Sequence, residues 1–198
     1  PGEIARLAEI AAPELGVITN IGHAHLQGLQ TLEGVARAKA ELLGKLPQTG
    51  RAVLNADDPF LPVLTSFSKA PVTTFGQKAG VFRSRKTQMK GTAGSSFEVK
   101  LHGRPQRFSL KIPGRQNISN ALAALAVGDY FGVSSSKMKQ ALASFLPPSQ
   151  RMQTLKVRGV EVINDSYNAN PDSMRVALQL LSEAGKPEAG KPGSGKPG

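Results

Sequence analysis

His25 and Lys39 stand fourteen residues apart, just past a short apolar run. That run is Leu15-Gly16-Val17-Ile18, and the loop Thr19-Asn20-Ile21-Gly22-His23-Ala24-His25 follows it. The carboxyl ends of parallel strands are where α/β sheets place their ligands, so an imidazole here is either part of a site or an ordinary polar loop residue. Lys39 lies in a helix-period segment on the line Val35, Leu42, Leu46, at the i+4 and i+3 steps of an apolar face. A charge on that line loses its hydration unless something pairs with it. The alternative is that its stem lies on apolar surface and its head reaches water.

Further polar residues stand out against apolar surroundings. Asn117 and Asn120 lie one turn apart on a segment that otherwise carries alanine and leucine. A carboxamide offers both a donor and an acceptor, which suits a base edge; helix capping accounts for Asn117 but not for Asn120. Asp165 precedes Asn168 and suits a turn equally well, and Asn55, Asp57 and Asp58 read as a strand-end turn.

The elements that must position these groups alternate. A short helix over 3–11 precedes the first strand, and a helix over about 32–46 leads through Pro47 and Gly50 to a second strand, Ala52-Val53-Leu54-Asn55. A proline-interrupted segment, 57–68, leads to a third strand, Val72-Thr73-Thr74-Phe75. Strands separated by such helical segments pair in parallel, so this portion is an α/β sheet. Phe97–Leu101 and Arg107–Ile112 then alternate apolar and polar residues around His102-Gly103-Arg104-Pro105, the pattern of a hairpin. Helices over 117–131 and 135–146 follow, then a strand pair, 155–158 and 160–164, turning at Gly159. Asn170-Pro171 opens a last helix as N-cap and first helical residue, and Gly185 closes it.

At 198 residues and 39% hydrophobic content the chain can bury a real core. No stretch approaches the roughly 20 consecutive apolar residues of a membrane span, so a soluble protein without a membrane partner is expected. The absence of cysteine removes disulfides, thiolate metal sites and thiol nucleophiles, and fits the cytoplasm. The net charge of +11 is concentrated: Lys78 to Arg115 holds ten basic residues against one acid, Glu98. These charges are expected on one solvated face of a small antiparallel sheet. With only Phe82, Phe97 and Phe108 in the stretch and no RNA-binding signature, nucleic acid is not the expected partner, although a polyanion-binding module using 78–115 remains the alternative. Gly-Lys-Pro recurs at 185, 190 and 195, and a 185–198 tail of that composition is expected to be disordered.

Four separated patches agree on one family. The loop 19–25, Lys39, Val53-Leu54-Asn55-Ala56-Asp57-Asp58 and Ile112-Pro113-Gly114-Arg115-Gln116-Asn117-Ile118-Ser119-Asn120 together resemble the Mur ligases of peptidoglycan precursor synthesis. Arg151-Met152 followed by Ile163-Asn164-Asp165-Ser166-Tyr167-Asn168-Ala169-Asn170-Pro171-Asp172-Ser173-Met174 resembles the branch that joins D-alanyl-D-alanine to UDP-N-acetylmuramoyl-tripeptide. The resemblance covers about residues 1–183.

It implies an ATP-dependent amide ligase in which ATP phosphorylates the carboxylate of the growing peptide and an amine displaces phosphate from the acyl phosphate. It implies ATP and Mg²⁺ as cofactors, UDP-N-acetylmuramoyl-tripeptide and D-alanyl-D-alanine as substrates, and a monomer in the cytoplasm. By the same resemblance Lys39 is carbamylated by CO₂, holds Mg²⁺ together with His25 and is the catalytic residue. A hard cation takes oxygen ligands, which an N-carboxylated lysine supplies on a long arm. Asn117 and Asn120 would meet adenine, and Arg151 and Asp165 the ribose. In domain terms, 1–148 corresponds to the later part of the central, ATP-binding domain, 149–184 to the start of a C-terminal α/β domain, and 185–198 to the tail.

Some family features have no match in these residues. The Gly-rich phosphate loop with its lysine and hydroxyl is absent, and Gln116 stands where histidine is expected. A metal-binding glutamate and the first strands of the central domain are expected before Pro1, and the rest of the C-terminal domain beyond Glu183. The chain alone is therefore expected not to catalyse ligation, because the backbone cradle for the transferring phosphoryl group is missing. A non-catalytic fragment is the corresponding alternative.

Overall fold

The computed structural model describes residues 2–23, 31–167 and 171–184. Helix α1 (Glu3–Ala11) leads into strand β1 (Leu15–Ile18), and α2 (Leu32–Gly44), β2 (Arg51–Asn55), α3 (Leu61–Phe67) and β3 (Val72–Gly76) follow, with the two-residue β4 (Phe82–Arg83) completing a four-stranded parallel sheet in the order β1-β2-β3-β4. The parallel α/β expectation is met. Neither α3 nor β4 is visible in the sequence pattern. The Pro62 that interrupts the first lies in the first turn of α3, where its missing N–H has no helical partner to lose.

Period-two alternation along β2 feeds two cores. Val53 faces one cluster with Phe75, Phe82, Ile118, Leu122 and Leu125, while Ala52 and Leu54 face another with Ile18, Ala40, Leu43 and Leu64. Thr31 caps α2 by accepting a hydrogen bond from the Gly34 N–H at 3.0 Å. The buried stripe of α2 is Val35, Ala36, Ala40 and Leu43, so Lys39 borders the apolar face instead of lying along its centre. Leu42 and Leu46 close over β1 at Gly16, where a Cβ would meet both side chains at 3.2 Å.

The basic stretch folds into a three-stranded antiparallel sheet, β5 (Arg85–Met89), β6 (Ser95–Leu101) and β7 (Arg104–Leu110). Phe97, Val99, Leu101, Phe108 and Leu110 point into the first core, and Arg85, Glu98 and Arg107 fall in cross-strand register on the outer face. The expected hairpin is present, with charges outward. The third strand, β5, was not foreseen because its residues do not alternate; Lys86 Nζ holds Glu98 at 3.0 Å, and Arg107 donates to Gln88 at 2.6 Å.

Helix α4 (Arg115–Tyr130) covers the sheet from the same side, followed by α5 (Ser135–Ser144). Finally β8 (Gln153–Val157) and β9 (Val160–Asn164) form an antiparallel pair, and α6 (Pro171–Ala184) packs through Leu180 and Val176 onto Ile112, Met152 and Ile163. Asn170 and the tail 185–198 lie outside the described residues.

Candidate functional site

The chain turns at the carboxyl ends of β1 and β2 are tied together by side chains. Asn55, last in β2, donates from Nδ2 to the Thr19 carbonyl at 2.9 Å and accepts the Asp57 N–H at 2.9 Å. Asp58, 8% exposed, accepts the Ile21 N–H at 2.6 Å and the Phe60 N–H at 2.9 Å. Asp57 gathers the loop after β3, accepting the N–H groups of Gln77, Lys78 and Ala79 at 2.5, 3.0 and 3.0 Å. A Cβ on Gly76 would lie 2.9 Å from that carboxylate and 2.7 Å from the Ala79 carbonyl, so the loop closes only around glycine. Gln77 then donates to the Arg115 carbonyl at 2.9 Å and to Ser119 Oγ at 2.8 Å, fastening this loop to the first turns of α4.

Lys39 reaches into the same region from α2. Its Nζ donates to the Asn20 carbonyl at 2.8 Å, and the side chain is partly buried. Burial pushes its pKa below the ordinary lysine value, opposed by the negative charge of Asp58. The amine is therefore anchored at the end of β1 and does not extend freely into water. His25 lies outside the described residues.

A cleft of about 810 Å³ opens beside Asn20 and Asn55, and Asn117, Asn120, Arg151 and Asp165 all line it. Leu110, Ile112, Ala121 and Ala124 are among its apolar lining. The four residues expected around a nucleotide thus come together on one cavity, although they span nearly fifty positions of sequence. Helix α4 begins at Arg115 with Gly114 as its cap, so Asn117 is inside the first turn and is not the cap; its Nδ2 donates back to the Pro113 carbonyl at 2.7 Å. Asn120 reaches Asn117 only at 3.4 Å, which leaves most of its carboxamide available to a ligand. Asp165 Oδ1 accepts the Met152 N–H at 3.0 Å, and its other oxygen has no such partner among the described residues. Gln116, at the expected histidine position, also lines the cleft.

A second cavity of about 560 Å³ lies between the β6–β7 turn and the α4–α5 joint, where His102 Nε2 is 2.9 Å from Asp129 Oδ1. None of the predicted site residues among the described residues lines it. The residues that sequence reasoning undervalued are Asp57, Asp58 and Gln77, whose partners lie 20 to 42 positions away. A strand-end turn accounts for their local bonds and hides the distant ones.

The Mur ligase middle domain matches residues 1–128. The chain belongs to the Mur ligase family. The UDP-N-acetylmuramoyl-tripeptide–D-alanyl-D-alanine ligase of Mycobacterium tuberculosis is 40% identical to it over 184 residues, covering 91% of this chain and 36% of that enzyme. Among solved structures, MurF from Acinetobacter baumannii superposes with a TM-score of 0.87 at 28% identity, covering 92% of this chain and 40% of the other. MurF ligase from Thermotoga maritima, solved in complex with ADP, gives a TM-score of 0.81 at 25% identity, with 92% and 42% covered. This Mur ligase-family chain therefore spans about two fifths of the length of the relatives it matches. No helix among its described residues is long and apolar enough to cross a membrane.

Proposed function

We propose that the chain carries the nucleotide cleft of an ATP-dependent amide ligase that joins D-alanyl-D-alanine to UDP-N-acetylmuramoyl-tripeptide in the cytoplasm. The observation that carries the reading is the meeting of Asn117, Asn120, Arg151 and Asp165 on one cleft whose rim includes Asn20, the residue that anchors Lys39. In this reading Asn120 and Asn117 recognise the adenine edge, and Arg151 and Asp165 hold the ribose hydroxyls. The apolar part formed by Ala121 and Ala124 receives the base plane. The relatives that join D-alanyl-D-alanine to UDP-N-acetylmuramoyl-tripeptide suggest the substrate pair, and ADP in the Thermotoga maritima structure is consistent with nucleotide in this fold. Residues 1–148 then serve as nucleotide-binding domain and 149–184 as the start of a second one. Because the 198 residues hold no Gly-rich phosphate loop, the chain by itself binds nucleotide without completing ligation.

Titration with ADP and GDP, followed by amide chemical shifts, tests the base assignment. Binding should favour ADP, and Asn120→Ala should remove roughly tenfold of that preference, the loss of one well-formed hydrogen-bond pair. Shifts that avoid Asn117, Asn120, Arg151 and Asp165 would sink the reading.

Magnesium is a separate matter. Among the described residues no group of three or more His, Cys, Asp or Glu side chains could hold a metal ion, and each Asp58 oxygen already accepts a backbone N–H. As an amine Lys39 does not fit the ion. As an N-carboxylate it would offer two oxygens, and the burial that favours its neutral form also favours capture of CO₂. Whether His25 joins it falls outside the described residues. With ¹³C-bicarbonate, a carbamate carbonyl signal should appear, rise with pH before the exposed lysines respond, and vanish in Lys39→Gln. A signal indifferent to that substitution would remove Lys39 from the metal role.

A further inference from the structure

We infer that Tyr167 is a positioning residue of the cleft, holding the Arg151 guanidinium against its ring so that the guanidinium donors are arranged before a ligand arrives. The inference rests on the nucleotide reading above and adds a residue to it.

Three independent observations meet at Arg151. Its Cζ lies 4.0 Å from the Tyr167 ring centroid, within the range of a cation–π contact. The backbone is laced on both sides of it: the Tyr167 N–H donates to the Gln150 carbonyl at 3.0 Å, and the Met152 N–H donates to Asp165 Oδ1 at 3.0 Å. Finally Gln150 and Met152 have φ of +64° and +49°, so both neighbours of Arg151 occupy the left-handed region that side chains other than glycine seldom adopt. Strain on either side of a single exposed arginine persists only where the surroundings over-determine it.

Core packing does not explain the aromatic ring, because Tyr167 is 62% exposed and joins no hydrophobic cluster among the described residues. What the ring does cover is one face of a planar cation. An arginine free in solvent must give up several rotatable bonds of freedom to fix its fork on a ligand, and a ring that holds it beforehand removes part of that loss. The carboxylate of Asp165 accepts the N–H of Met152, next in the chain after Arg151, so the two groups assigned to the ribose are held by hydrogen bonds to the residues on either side of Arg151.

The test uses the 198-residue chain with two probes, ADP and 2′,3′-dideoxy-ADP, which lacks both ribose hydroxyls. Tyr167→Ala should weaken ADP by about threefold, the scale of an exposed cation–π contact, and leave the dideoxy compound unchanged. Tyr167→Phe keeps the ring and should behave as the parent. Arg151→Ala should reproduce the loss, and the double variant should be no weaker than Arg151→Ala alone. If Tyr167→Ala leaves ADP binding intact, or weakens both probes equally, the ring does not position Arg151 and the inference is overturned. If Arg151→Ala changes neither probe, the ribose assignment itself is wrong and the inference falls with it.

Discussion

Phe108→Ala should cost about 4 kcal/mol of folding stability, the middle of the range for removing a fully buried aromatic side chain. Phe108 is 1% exposed and stacks on Phe97 with ring centroids 5.9 Å apart. Both rings lie in the cluster that receives Ile118, Leu122 and Leu125 from α4, so the cavity would open beneath the helix that carries Asn117 and Asn120. Urea denaturation should show the midpoint fall without a change of slope. Phe108→Leu, which keeps most of the volume, should lose less than about half as much. A loss below about 1.5 kcal/mol for the alanine variant would mean that the β5–β7 sheet does not share its core with α4.

The second large effect is expected at Asp58. Asp58→Ala removes the acceptor of two backbone N–H groups, Ile21 and Phe60, in a place that is 8% exposed, and should cost about 3 kcal/mol. It also removes the negative charge that opposes the effect of burial on Lys39, so the Lys39 pKa should fall further below the ordinary value. Asp58→Asn separates the two effects. The carboxamide keeps an oxygen acceptor and should recover about half of the stability, while its lost charge still lets the lysine pKa drop. Denaturant titration and the chemical shift of the Lys39 ε-carbon read the two outcomes independently. An Asp58→Ala variant with an unchanged lysine pKa would show that the carboxylate is electrically remote from the amine.

Much of the architecture was legible because it is local. Apolar runs marked β1, β2 and β3, alternation marked β6 and β7, and Gly132 and Pro147 bounded the helices after them. The omissions were of two kinds. Strand β5, Arg85-Lys86-Thr87-Gln88-Met89, has no apolar period and exists because β6 offers it an edge, with register partners 6 to 13 residues downstream. The displaced stripe on α2 has a geometric origin: Leu42 and Leu46 lie over Gly16 of β1, and the buried residues are Val35, Ala36, Ala40 and Leu43, leaving Lys39 at the border.

At the site, the candidate residues were legible as types, and Asn117, Asn120, Arg151 and Asp165 all line one cleft. The supports were not. A carboxylate that collects three amides from a loop 20 to 22 residues away, as Asp57 does, has the same local signature as any aspartate after a strand. Sequence gives the residue type, whereas its partners are decided by where β3 comes to rest beside β2.

The cleft walls come from the ends of β1 and β2, from α4 and from the segments flanking β8 and β9, whose own anchorage is the small cluster of Ile112, Met152 and Leu180. A guest lodged there would act as a clasp between stretches separated by more than a hundred residues. Occupancy and melting of the C-terminal part are then two readings of one equilibrium: each increment of ligand free energy is added to the hold on α6, and heat that loosens α6 weakens the grip on the ligand by the same amount.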